Sequence, residues 1–235
     1  MDCILLFLKA PRPGKVKTRL AVSIGAEAAA DLYACFVLDW CDRLYQFCQA
    51  HSACLRVMYS PSTAKAEMGD WLSTSQWGMA ITHQLYPQSE GDLGDRMAQA
   101  FLGAFAEGMD RAIAVGTDSP DLPLSSLGKL LDGLFTYGCG IVPSTDGGYC
   151  AIGFHRDHYE PAVFQEMAWS TETVYDDTLA KLRSHQRTAL TLDPWVDVDT
   201  IDDLQALIRN LDNGAIAAQL PRTRNWLNTS SPILN

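Results

Sequence analysis

Asp2-Cys3-Ile4-Leu5-Leu6-Phe7-Leu8 runs directly into Lys9-Ala10-Pro11-Arg12-Pro13-Gly14-Lys15-Val16-Lys17-Thr18-Arg19-Leu20. The first seven residues are apolar without alternation, apart from the leading acid. A strand buried on both faces of a parallel sheet has this pattern. Pro11, Pro13 and Gly14 forbid a regular element immediately afterwards. The strand therefore empties into an irregular loop carrying Lys9, Arg12, Lys15, Lys17 and Arg19. The whole chain has only 18 Lys and Arg against 28 Asp and Glu, a net charge of −10. Five cations in eleven residues of such a chain mark a local purpose. Ligands of open α/β sheets bind beyond the carboxyl ends of the strands, where this loop falls. Lysine offers a point charge and arginine a planar fork, both suited to phosphate oxygens, and Gly14 lets the backbone approach closely. The segment is not a P-loop, because G-x-x-x-x-G-K-[ST] is absent. The competing reading is a solvated basic surface loop.

Outward from this loop, strands and helices alternate. Helical spacing covers 26–49, then 63–72, 124–136, 172–185 and 202–211. Apolar runs predict strands at 54–59, 79–85, 112–115, 140–142, 149–152 and 188–192. Residues 91–107 read as a loop entering a helix. Asp146-Gly147-Gly148 between two strands is a hairpin signal. The expected fold is thus a single α/β domain over 1–213: a three-layer sandwich with a mostly parallel, mixed sheet and helices on both faces. Residues 214–235, with Pro221 and Pro232, read as a loose tail.

Composition narrows the partners. The apolar fraction is 47% and the charged fraction 20%, and no uninterrupted apolar run reaches the roughly 18 residues of a membrane span. Asp2 stands where a signal peptide would be basic, so a cytoplasmic protein is expected. The acidic balance argues against nucleic-acid binding through a basic face. The seven cysteines, at 3, 35, 41, 48, 54, 139 and 150, form no C-x-x-C pair and read as reduced thiols. His155 and His158 lack nearby partner ligands and read as structural.

Several acidic positions carry candidate chemistry. Asp118 ends a short apolar strand in Gly116-Thr117-Asp118-Ser119-Pro120, opposite the basic loop. Mg²⁺ is commonly held by one or two carboxylates plus substrate phosphates, so this is a candidate metal ligand; turn capping is the alternative. Asp197-Val198-Asp199 supplies a further pair, placed on one side if the segment is extended. Asp199 or Thr200 also suits an N-cap for the helix at 202–211, with Asp203 completing a capping box. Asp146 is a candidate base or hydroxyl acceptor, or a turn residue. Gly91-Asp92-Leu93-Gly94 either approaches a nucleobase or simply starts a helix. Trp169-Ser170-Thr171 sets an aromatic beside two hydroxyls, as an acceptor site needs, or belongs to the core.

Taken in order, Lys9 to Leu20, Gly91 to Met97, Gly116 to Pro120, Asp146 to Tyr149 and Trp169 to Thr171 resemble the signature blocks of the small DUF2064 proteins. These are GT-A-type glycosyltransferase-like proteins, some assigned to arsenosugar biosynthesis. The resemblance spans about residues 1–205. More distantly, the layout is similar to phospholactate and molybdenum-cofactor guanylyltransferases. The resemblance implies phosphate contacts from Arg12, Gly14, Lys17 and Arg19, and a base near Gly91, Asp92, Leu93 and Gly94. It implies Mg²⁺ or Mn²⁺ on Asp118, Asp197 and Asp199, catalytic roles for Lys17, Asp118 and Asp146, and an acceptor near Asp146, Gly147, Gly148, Trp169, Ser170 and Thr171. Prolines where nucleotidyltransferases carry a glycine-rich run favour a nucleoside diphosphate sugar as donor and a small-molecule acceptor. Nucleotidyl transfer from a triphosphate, and a non-catalytic nucleotide-binding subunit, remain the alternatives.

Overall fold

A computed structural model describes residues 1–212 and 215–230. Its seven strands are β1 Asp2–Lys9, β2 Ala53–Ser60, β3 Leu85–Pro87, β4 Arg111–Val115, β5 Cys139–Pro143, β6 Tyr149–His155 and β7 Leu190–Thr191. They form one sheet in the order β3-β2-β1-β4-β6-β5-β7. Every pairing is parallel except those of β6, which runs antiparallel to β4 and β5. β1 lies between β2 and β4, so both its neighbours are parallel strands and both its faces are covered, as its unbroken apolar run requires.

The helices are α1 Thr18–Ile24, α2 Ala26–His51, α3 Lys65–Leu72, α4 Gly78–Thr82, α5 Leu93–Ala106, α6 Leu124–Tyr137, α7 Val174–Ser184, α8 Ile201–Asp212 and α9 Pro221–Thr229. Period-two alternation sorts β1: Ile4, Leu6 and Leu8 face a core shared with α2, α3 and α6, while Cys3 and Leu5 face one shared with α5. Fold class is therefore α/β, three layers, as the sequence predicts. A third cluster joins α1 and the outer side of α2 to α8 and α9 through Leu20, Leu32, Phe36, Leu204 and Leu220. This explains why α2 is buried on most of its circumference.

Three expectations fail. The strand expected over 79–85 is instead the helix α4 followed by the three-residue β3. In a strand, Met79 and Ile81 would share a face; about 200° apart on a helix, Met79 is exposed and Ile81 fully buried. The helix α1 was not expected so soon after the proline-rich loop. The loose tail is in part a packed helix. Asp39, on α2, accepts from the backbone N–H groups of Arg222 (3.2 Å) and Thr223 (2.9 Å), while the Arg222 guanidinium donates to Asp42 at 2.6 Å. Leu220 and Leu227 complete the apolar contact. Residues 214 and 231–235 of that expected tail lie outside the described residues.

Candidate active site

The loop after β1 stays on the crevice side of the sheet. Its last residue, Lys17, adopts a left-handed backbone (φ 46°, ψ 44°) as the N-cap of α1. That conformation is uncommon for a residue with a Cβ. It turns the side chain inward, where it is 1% exposed. The Nζ group touches the Asp118 carboxylate and donates to Asp199 Oδ1 at 3.1 Å. Burial alone would lower the Lys17 pKa, but Asp118 and Asp199 outweigh it and the net direction is upward. Lys17 is therefore a fixed cation. Arg19 reaches Asp199 Oδ2 at 3.5 Å from a mostly exposed position. Arg12 pairs outward with Glu67 on α3, at 2.5 and 3.2 Å. Gly14 and Lys15 are exposed.

Asp118 follows β4 and is half exposed. Its backbone oxygen accepts from Val198 N–H at 2.8 Å, which seats the Asp197–Asp199 segment against the end of β4. Thus the structure brings Asp118 and Asp199 to one ammonium group. Asp197 does not join them as a third free carboxylate. Both its oxygens are engaged, by the hydroxyls of Ser119 and Ser144 (2.9 Å to the latter) and by the Cys150 thiol at 3.5 Å. Burial raises its pKa, against the lowering effect of those hydroxyls. Residues 196–199 are not a regular strand, so the alternation expected to align the two acids does not operate. Thr200 and Asp203 form the expected cap of α8, with Thr200 N–H donating to Asp203 Oδ2 at 2.8 Å, and this leaves the Asp199 carboxylate for Lys17.

Hard carboxylate oxygens on Asp118 and Asp199 suit Mg²⁺ or Mn²⁺, and the Lys17 ammonium already occupies the position between them. Among the described residues, no three His, Cys, Asp or Glu groups are placed to hold a metal by themselves. A metal here needs oxygens from a ligand.

The remaining blocks meet along the same rim. Asp92 caps α5, accepting from Asp95 N–H at 2.9 Å, while Asp95 accepts from Asp92 N–H at 3.2 Å. Gly94 is pressed against Trp169: a Cβ there would lie 2.8 Å from Cζ2 and 2.3 Å from the Phe164 carbonyl. Among the described residues, the buried Trp169 indole N–H finds no hydrogen-bond partner. Gly147 has φ 91°, and a Cβ would stand 2.1 Å from the Glu172 carbonyl oxygen. Tyr175 N–H donates to the Gly147 carbonyl at 2.8 Å. Segment 169–175 therefore ties the Gly91–Gly94 turn to the Asp146–Gly148 turn. Asp146 is exposed and accepts from Gly148 N–H at 3.0 Å, which is ordinary turn chemistry. Ser170 and Thr171 are exposed; Thr171 Oγ1 donates to the Ala168 carbonyl at 2.7 Å.

Sequence reasoning missed the groups that hold this rim in place. Tyr33 Oη, buried on α2, accepts from Lys9 N–H at 2.9 Å and from Thr117 Oγ1 at 3.2 Å, joining the ends of β1 and β4. Arg43 donates to the carbonyls of Pro120 and Leu122 (2.7 Å to the latter) and lies over the Trp40 ring at 4.9 Å. Burial lowers its pKa to about 10. A lone arginine inside an apolar helical stripe was a visible signal for it; Tyr33 gave none. Gln88, just past β3, donates to the carbonyls of Leu8 (3.1 Å) and Met58 (2.7 Å). Beside it, Met58, Ser62, Ser89, Glu90, Arg96 and Gln99 line a cleft of about 330 Å³. A larger cleft, about 600 Å³, lies between α2 and α9, lined by Asp42, Arg222 and Trp226 rather than by any of the acids or cations above except Asp42's ion pair.

The family model described as "Uncharacterized protein conserved in bacteria (DUF2064)" matches residues 43–171. A structure from Desulfovibrio desulfuricans G20, provisionally described as a nucleotide-diphospho-sugar transferase, is 36% identical, with a TM-score of 0.88 over 99% of this chain and 96% of that one. The 4-diphosphocytidyl-2C-methyl-D-erythritol synthase of Anaerococcus prevotii DSM 20548 is 11% identical, with a TM-score of 0.51 over 89% and 99% of the chains, a likeness of fold alone. No match was found among the curated proteins. Among the described residues, no helix is long and apolar enough to cross a membrane.

Proposed function

The chain belongs to the DUF2064 family, and on that premise we propose that it is a nucleotide-dependent transferase, specifically a GT-A-type glycosyltransferase that takes a nucleoside diphosphate sugar. The observation that carries this reading is the buried Lys17 ammonium, held between Asp118 and Asp199 at the carboxyl end of β1 and β4. A fixed cation with a basic loop around it suits a diphosphate leaving group, whose charge grows as the glycosidic bond breaks. Lys17, Lys15 and Arg19, with Arg12 once it leaves Glu67, are cations of this segment able to meet that charge. Asp118 and Asp199 would hold Mg²⁺ or Mn²⁺, which supplies further neutralisation of the diphosphate when bound. The 36% identical relative, with its own provisional description as a nucleotide-diphospho-sugar transferase, supports the same donor class.

The acceptor falls to the rim formed by Asp146–Gly148 and Trp169–Thr171. There the Asp146 Oδ2 atom, without a hydrogen-bond partner among the described residues, is available to a hydroxyl, and the exposed Ser170 and Thr171 belong to the segment that packs against this turn at Gly147. The Gly91–Gly94 turn and the neighbouring cleft at Gln88–Glu90 suit the nucleobase. A cytoplasmic enzyme acting on small molecules, without nucleic acid or membrane, fits the acidic composition.

Calorimetry with UDP-, GDP-, ADP- and TDP-sugars, with Mn²⁺ present, tests the proposal. Binding of at least one, lost in Asp118→Asn and Lys17→Met, is the expected result. Metal-dependent pyrophosphate release from GTP or CTP would instead assign nucleotidyl transfer. Nucleotide binding without transfer would favour a non-catalytic nucleotide-binding subunit, and no affinity for any nucleotide would refute both enzyme readings.

A further inference from the structure

The acid pair already has a cation of its own. Lys17 Nζ contacts Asp118 and lies 3.1 Å from Asp199 Oδ1, with its side chain all but excluded from solvent and passing 6.0 Å from the centroid of the Phe36 ring. A divalent ion bonded to these oxygens would sit about 2 Å from each. It cannot do so while the ammonium fills the same gap, and two cations so close in a partly desolvated pocket repel strongly. Lysine's flexible stem offers the way out, since its head group can leave the acids if another anion receives it. The nucleotide-dependent reading supplies such an anion, a phosphate above the loop after β1.

We infer that Asp118 and Asp199 accept a divalent cation only as part of a cation–nucleotide chelate, whose phosphates take over Lys17 as the metal takes over the acids. The inference rests on the nucleotide-dependent reading above. It makes Lys17 a placeholder for the metal in the free protein: the acids stay neutralised and ordered without a ligand, and free Mg²⁺ or Mn²⁺ finds the site closed. The two ligands then bind with positive coupling, and by linkage each strengthens the other equally.

Mn²⁺ binding followed by electron paramagnetic resonance tests this without any activity measurement. Wild-type protein alone should bind Mn²⁺ weakly, and a saturating nucleoside diphosphate chosen by calorimetry should tighten it roughly tenfold or more. Lys17→Met should bind Mn²⁺ roughly tenfold or more tightly than wild type with no nucleotide present, because two acids lose their counter-ion. Lys17→Gln serves the same purpose if circular dichroism shows the Met variant misfolded. Equal Mn²⁺ affinity in nucleotide-free wild type and variant overturns the inference. So does a nucleotide that binds yet leaves Mn²⁺ affinity unchanged, though the nucleotide reading then stands. If no nucleotide binds at all, both fall together.

Discussion

Tyr33→Phe removes one oxygen and leaves the ring that packs in the core. That oxygen accepts from Lys9 N–H at 2.9 Å and from Thr117 Oγ1 at 3.2 Å, so it holds the ends of β1 and β4 at the spacing the site uses. Tyr33 is 4% exposed and Thr117 3%. A neutral hydrogen bond contributes about 0.5–1.5 kcal/mol net, and a buried group left unpaired costs about 1–3 kcal/mol. Lys9 is an exposed position, where water can replace the lost partner of its N–H. Thr117 has no such relief, although its hydroxyl can rotate. The total is thus about 2 kcal/mol, or a Tm lower by roughly 4–8 °C in a domain of this size. Urea unfolding and calorimetry measure it. A double-mutant cycle with Thr117→Val should return a coupling of about 0.5–1.5 kcal/mol, since the two groups are in contact. A loss under about 0.5 kcal/mol for Tyr33→Phe, or strict additivity in the cycle, would refute the claim that this hydroxyl clamps the two strands.

Gly94→Ala should destabilise by about 1–3 kcal/mol, because the new methyl meets the Phe164 carbonyl and the Trp169 ring; unchanged thermal unfolding would mean that the Trp169 contact is loose. Leu220→Ala, at a fully buried position beyond α8, should cost about 2–5 kcal/mol in urea unfolding, whereas a loose tail would tolerate it freely. Burial holds the Asp39 carboxyl above its ordinary pKa, despite N–H donors from Thr223 and Arg222 that oppose the shift. The folded protein therefore keeps this proton to higher pH than the unfolded chain, and stability from that group is lost as pH rises from the ordinary carboxylate range. Asp39→Asn lacks that loss, so its Tm relative to wild type should climb between pH 4 and pH 7; a difference that is flat or falls with pH contradicts this sign.

How much of the site was legible turns on particular residues. Lys17 stood out by charge, by its place after β1 and by the family resemblance, but charge and position alone did not distinguish it from Lys15 two residues earlier. With a left-handed backbone, Lys17 turns its side chain inward to Asp118 and Asp199, while Lys15 stays in solvent. Asp118 was visible at a strand end. Asp197 and Asp199 looked equivalent, and only the hydroxyls of Ser119 and Ser144, from two other loops, separate the buried acid from the one facing Lys17.

The apolar run of residues 2–8, the alternation of strands and helices, and the cationic loop determined an α/β sheet with cations at the carboxyl end of its first strand, because burial on two faces and charge clustering are local facts of composition. Helical or extended choice at 79–85, the docking of α9, the separation of Asp197 from Asp199, and the Lys17 bridge required the tertiary structure. Each depends on a partner between 34 and 184 residues away, such as Asp42 with Gln76 or Asp39 with Thr223, and no local pattern encodes which distant group will arrive to satisfy a buried charge.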